Sequence, residues 1–126
     1  MLKQSINTVD APAAIGPYTQ AVVYDQLIFC SGQIGLDPES GELAGSDTVH
    51  QMQQVMNNLG AVLRAAGSDW GRVLKCTIYL IDIQEFSHVN EVYATYFSAD
   101  PPAREVVAVK NLPKNARVEV SCMAHR

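Results

Sequence analysis

The sequence predicts an α+β domain in which one sheet carries two helices on a single face. Three observations lead there. Apolar residues alternate or run together over strand-length segments, two other segments repeat them at intervals of three and four, and Gly, Pro, Asp and Asn punctuate the joins. Taken in order, the elements read strand, strand, helix, strand, helix, strand, strand. At 126 residues, 48% of them hydrophobic, the chain has the size of one ordinary domain of roughly 100–200 residues. Residues 1–126 are therefore expected to share one core, and no repeat, low-complexity run or linker divides them.

The segment up to Tyr18 holds Pro12 and Gly16-Pro17 and reads as extended and turn-rich, delivering Tyr18 to the start of a strand. Ala21-Val22-Val23-Tyr24 and Leu27-Ile28-Phe29-Cys30 flank the short reversal Asp25-Gln26 and form a hairpin. Ser31-Gly32 then ends the second strand. By spacing alone Ser31 is a turn residue, while Gly32 permits positive φ or the close approach of a ligand. Residues 35–45 form a Gly-rich loop without a phosphate-binding motif.

Ser46 or Asp47 caps the first helix, whose stripe is Val49, Met52, Met56, Leu59, Leu63 and Ala66, and Gly67 closes it. Its methionines belong to that stripe and are core residues. His50 lies just off the stripe, solvated or capping, because no second ligand is spaced to share a metal with it. From Val73 to Leu80 the alternation puts Leu74, Cys76, Ile78 and Leu80 on one face and Val73, Lys75, Thr77 and Tyr79 on the other. The second helix turns Phe86, Val89, Tyr93 and Tyr96 or Phe97 inward, with Asn90 flanking them as a surface residue or a site residue.

The stretch from Pro101 to Glu119 carries the most chemistry. Pro101 and Pro102 cannot extend a sheet interior, so Arg104 stands at the mouth of the strand Val106-Val107-Ala108-Val109. Leu112-Pro113-Lys114-Asn115 reads as a reversal, and Arg117 to Met123 alternates with Val118, Val120, Cys122 and Ala124 inward, which turns Glu119 the other way. The two strands are expected to pair as one hairpin. An Arg and a Glu so placed form either an ordinary cross-strand ion pair, worth about 0.2–1 kcal/mol, or a carboxylate clamp beside a general base. An uncovered second face, with Val73, Tyr79, Arg104, Val106 and Ala108 on it, would be too apolar to remain bare, so self-association is expected.

Charge narrows the function classes. A net charge of -4, with nine Lys and Arg scattered singly, offers no basic stripe for a phosphate backbone and counts against nucleic acid as a partner. Cys30, Cys76 and Cys122 sit among apolar neighbours in strands, as buried free thiols suited to a reducing compartment. The N-terminal residues show no secretory h-region, and no run of about 18 apolar residues occurs. A cytoplasmic protein without membrane attachment is expected; the scarcity of Arg at the N-terminus argues only weakly against mitochondrial import.

The segments Ile15-Gly16-Pro17-Tyr18-Thr19-Gln20-Ala21, Cys30-Ser31-Gly32-Gln33-Ile34, Val89-Asn90-Glu91-Val92-Tyr93, Pro102-Ala103-Arg104, Leu112-Pro113 and Val118-Glu119-Val120 stand in the order and spacing of the RidA (YjgF/YER/UK-type) family. The chain resembles that family over almost its whole length. The resemblance implies a chorismate-mutase-like α+β fold, a mixed sheet with two helices on one face, assembled as a homotrimer with pockets between subunits. It also implies hydrolysis of 2-aminoacrylate-derived enamines and imines, 2-iminopropanoate and 2-iminobutanoate, to 2-oxo acids and ammonia, without metal or cofactor. On this likeness Arg104 grips the substrate carboxylate, Tyr18, Ser31, Gly32 and Asn90 line the pocket, and Glu119 places the attacking water. Ser121 stands where many relatives carry a second Glu, Val106 where some carry a Cys, and Pro101 where an aromatic is common. A small-carboxylate-binding regulatory protein, or a ribonuclease and translation inhibitor, are the alternatives that the same resemblance leaves open.

Overall fold

A computed structural model describes residues 2–97 and 99–126; Met1 and Ser98, which the single-domain expectation includes, lie outside the described residues. Six strands form one sheet: β1 (Gln4–Ile6), β2 (Ala21–Tyr24), β3 (Leu27–Ile34), β4 (Val73–Leu80), β5 (Ala103–Ala108) and β6 (Val118–His125), in the order β1-β2-β3-β6-β4-β5. Every neighbouring pair is antiparallel except β4 and β5, so the sheet is mixed. Helices α1 (Thr48–Ala65) and α2 (Phe86–Ala94) pack on one face of it.

Helix α1 forms where its periodicity places it. The Asp47 side chain caps it, accepting the His50 N–H at 3.1 Å, and Gly67 ends it at φ +83°, a conformation costly for any residue with a Cβ. Met52, Val55, Met56, Leu59, Val62 and Leu63 are fully buried. They meet Ile28, Ile78, Leu80, Val118 and Val120 from the sheet and Val89 from α2 in a single cluster. Burial of each such side chain contributes about 1.5–3 kcal/mol. The His50 ring lies 2.7 Å from the carboxylate of Asp47, the capping residue.

Strands β5 and β6 do not form the expected hairpin. The chain leaves β5 through a short helical turn, Pro113–Asn115, with Lys114 and Asn115 at positive φ, and crosses β4 before β6 begins. Because β3 and β4 run in the same direction on either side of β6, the α1 crossover leaves a slot one strand wide. The alternating buried row Val118, Val120, Cys122 and Ala124 fits that central slot. Strand β5, mostly exposed and entered from two residues without an N–H, fits the edge.

Two bulges correct the expected faces. Strand β3 does not end at Ser31-Gly32 but continues to Ile34, and its register against β6 slips by one residue between Cys30 and Gln33. A second slip between Val73 and Lys75 buries Val73 and leaves Leu74 47% exposed, the reverse of the expected alternation. Arg104, Val106 and Ala108 are in register with Cys76, Ile78 and Leu80, so they belong to the helix-bearing side. The open face instead carries Tyr24, Leu27, Phe29, Met123 and Val107, each between 38% and 48% exposed, together with Tyr79. The N-terminal segment, read as extended and turn-rich, also contributes the three-residue strand β1.

Candidate active site

Edge strand β5 presents Arg104 toward α2. Its guanidinium donates a 2.7 Å hydrogen bond to Asn90 Oδ1 and lies over two aromatic rings, 4.9 Å from the Tyr93 centroid and 5.4 Å from that of Phe86. Among the described residues no carboxylate pairs with it. The cleft around it, about 400 Å³, is walled by Asn90, Tyr93, Phe97, Pro101 and Pro102. A guanidinium with one donor engaged and the rest of its fork free is arranged to receive a carboxylate.

Glu119 faces the other way, into a cleft of about 440 Å³ that it shares with Tyr18, Gly32, Ile15, Ile34 and Pro113. Its carboxyl is packed against the bulge of β3. A Cβ at Gly32 would collide with the Glu119 carboxylate and come within 2.9 Å of its Cδ, so any side chain there pushes the carboxylate aside; the group that approaches is Glu119, not the ligand whose approach was one of the two expected reasons for glycine. Burial pushes the Glu119 carboxyl above its ordinary value, and among the described residues no cation or donor offsets that cost. A half-buried acid of this kind is a stronger base than an ordinary surface carboxylate.

Ser31 does not line that cleft. Its hydroxyl donates to the Thr19 carbonyl at 2.6 Å and its N–H to the Gln20 carbonyl at 2.9 Å, tying the Tyr18-bearing segment to β3. Gln20, which sequence reasoning passed over, is 2% exposed. Its amide donates to the carbonyls of Thr8 and Pro12, at 3.0 and 2.8 Å, while its oxygen accepts the Thr8 N–H. This one side chain fixes the loop that forms the outer wall of the Glu119 cleft. No pattern in the sequence marks it, because a buried Gln differs from an exposed one only by partners far along the chain. Tyr93 and Phe86 were assigned to the core, and they serve there and also as the floor beneath Arg104.

Arg104 and Asn90 thus share one cleft, and Tyr18, Gly32 and Glu119 share another. The register of β5, β4 and β6 puts Arg104 on the helix-bearing side and Glu119 on the open side, so a single chain does not join them. Among the described residues no group of three or more His, Cys, Asp or Glu is placed to hold a metal ion, and no helix is long and apolar enough to cross a membrane.

A family model described as endoribonuclease L-PSP matches residues 8–126. A mouse 2-iminobutanoate/2-iminopropanoate deaminase is 47% identical over 124 residues, covering 98% of this chain and 92% of the mouse protein. Among solved structures, RidA from an Antarctic Psychrobacter species superposes with a TM-score of 0.94 at 39% identity, covering 98% of this chain and 99% of that one. TdcF from E. coli, solved with bound serine, superposes with a TM-score of 0.93 at 37% identity, covering 98% of both chains. With its fold, its Arg104–Asn90 contact and its Gly32–Glu119 packing set beside these matches, the chain belongs to the RidA (YjgF/YER/UK-type) family.

Proposed function

We propose that this protein is a hydrolase that deaminates 2-iminobutanoate and 2-iminopropanoate, and their enamine tautomers, to 2-oxo acids and ammonia without metal or cofactor. The observation that carries the reading is the half-buried, unpaired Glu119 carboxylate held against Gly32 in a largely apolar cleft. The names of relatives such as the mouse deaminase support it.

The protein works as a homotrimer, with the open sheet faces packed together and the Arg104 cleft of one subunit meeting the Glu119 cleft of the next. The exposed Leu27, Phe29, Met123 and Val107 on that face supply the apolar surface. In the joined site Arg104 holds the substrate carboxylate by two parallel bonds, and Glu119 removes a proton from water as its oxygen bonds to the imine carbon. The imine nitrogen enters protonated by solvent, so water addition gives a neutral carbinolamine; the Glu119 carboxyl returns the proton it holds to that nitrogen, and as the C–N bond breaks Glu119 takes the hydroxyl proton, releasing ammonia and a 2-oxo acid and passing that proton back to solvent. Protonation of the enamine carbon, where that tautomer arrives, falls to Tyr18 or to a bound water. Three free thiols suit a reducing, cytoplasmic setting.

The description endoribonuclease invites a second reading, but the net charge is -4 and the nine Lys and Arg are scattered, three of them already beside acids: Lys75 lies 3.0 Å from Glu105, Arg72 3.7 Å from Asp69 and Arg117 3.6 Å from Glu85. The deaminase reading is tested by adding the protein to a threonine dehydratase and threonine and following 2-oxobutanoate. Faster ketoacid release is expected, and an unchanged rate overturns the reading. A small-carboxylate-binding regulator would bind 2-oxobutanoate in the same tube and give no acceleration.

Two further results are expected from that assay. Glu119 must be ionised to act as base, and burial raises its pKa, so kcat/KM should fall on acidification through a midpoint above the ordinary carboxylate range. A midpoint at or below that range would contradict the assignment. Gly32→Ala must displace the Glu119 carboxylate, and a shift of about 1 Å at a reacting group costs about 100-fold; kcat should fall by that order while the fold, read by circular dichroism, persists.

A further inference from the structure

We propose that Tyr93 is a positioning residue for Arg104, holding the guanidinium by its ring face and not by its hydroxyl. The inference rests on the deaminase reading for its kinetic test, and goes beyond it in naming what fixes the carboxylate anchor.

Arg104 stands on an edge strand, exposed, two residues after a Pro-Pro turn. A long cationic side chain in that setting ordinarily samples many rotamers, and ordering it on substrate arrival weakens binding. The Tyr93 ring, 4.9 Å from the guanidinium carbon, removes that freedom beforehand. Tyr93 itself is fixed: it is 4% exposed, and its ring packs 4.7 Å from Phe97, which lies edge-on to Trp70 at 5.4 Å. One side of the guanidinium thus rests on a ring that belongs to the core, while Asn90 fixes one corner in the plane at 2.7 Å.

The hydroxyl takes no part in this. It is buried, makes no hydrogen bond of good geometry among the described residues, and has only the weakly accepting Cys76 thiol beside it. A buried phenol oxygen with no good acceptor contributes nothing that phenylalanine would lose. Aromaticity at position 93 is therefore what the anchor uses, and the π face meets the cation.

A preorganised Arg104 binds the carboxylate equally in substrate and transition state, so disturbing it should raise KM and spare kcat. Tyr93→Met fills the space without a π face; Tyr93→Phe keeps the face without the hydroxyl. With 2-iminobutanoate generated in situ, Tyr93→Met should raise KM about 3- to 30-fold with kcat within about twofold, and Tyr93→Phe should restore KM to within about twofold of the natural protein. A folded Tyr93→Met with unchanged KM, or a Tyr93→Phe impaired as much as Tyr93→Met, overturns the proposal. Should Tyr93→Met fail to fold, Tyr93→Leu, which also keeps apolar volume without a π face, decides by the same criterion. Binding of 2-oxobutanoate is titrated in parallel by NMR. If the natural protein gives no turnover, the deaminase reading fails, and the same ratio of dissociation constants across the variants still upholds or overturns the role of Tyr93.

Discussion

Arg104→Ala is expected to lower kcat/KM for 2-iminobutanoate by about 10²–10⁴-fold, since each of two charge-assisted bonds to a carboxylate contributes about 1.5–3 kcal/mol. The loss should fall mainly on KM, because the carboxylate keeps its charge from substrate to product. Thermal melting should change little: Arg104 is exposed and makes one hydrogen bond, to Asn90, and no ion pair among the described residues. Arg104→Lys should recover only part of the loss, since an ammonium offers no planar fork. A variant with kcat/KM within a few-fold of the natural protein would remove the guanidinium from the site.

Glu119→Gln is expected to act on the other parameter. It should lower kcat by about 10²–10⁴-fold, the usual contribution of a positioned general base, while 2-oxobutanoate still binds. Stability should move the opposite way. The folded state raises the pKa of this carboxyl, so its favourable contribution is fully present below the unfolded pKa and is lost as pH rises through the folded one. At neutral pH the natural protein carries a desolvated charge that Gln lacks, so the variant should melt no lower than the natural protein there. Any advantage it shows should shrink on acidification. Lower stability at neutral pH would mean that the carboxylate has a partner.

The two variants together test whether the halves of the site come from different subunits. In the proposed trimer, co-assembled from Arg104→Ala and Glu119→Gln chains in equal amounts, about a quarter of the boundaries would unite an intact arginine with an intact glutamate. Activity near that fraction is expected from the mixture, against almost none from either variant alone. An inactive mixture that has assembled would place the site within one chain, which the opposite directions of the two side chains do not favour.

Much of this fold is local information. Periodicity over Val49–Ala66 and a cap at Asp47 specify α1, and the reach of β4 from Val73 to Leu80 follows from its alternation. Which strands lie side by side is not local. Leu112-Pro113-Lys114-Asn115 announces that the chain turns back, and it does, but turn chemistry cannot tell whether the returning strand lies beside β5 or beyond β4. That choice is made by competition for the slot between β3 and β4, which depends on contacts distant in sequence. Bulges escape for a related reason: one inserted residue at Ser31-Gly32 or Leu74 reverses a face, and only the partner strand reveals it. Within the candidate site, Arg104, Asn90 and Glu119 could be singled out by residue type and position, whereas the buried Gln20 and the aromatic floor under Arg104 needed their neighbours to be seen.

Strand β6 also constrains how the molecule comes into being. Translation delivers residues 118–125 after every other element, yet they fill the middle of the sheet and contact both β3 and β4 along their length. Until they emerge from the ribosome, the apolar undersides of α1, β3 and β4 have no completed shelter, so the nascent sheet stays uncommitted and exposed to aggregation or chaperones until β6 is made.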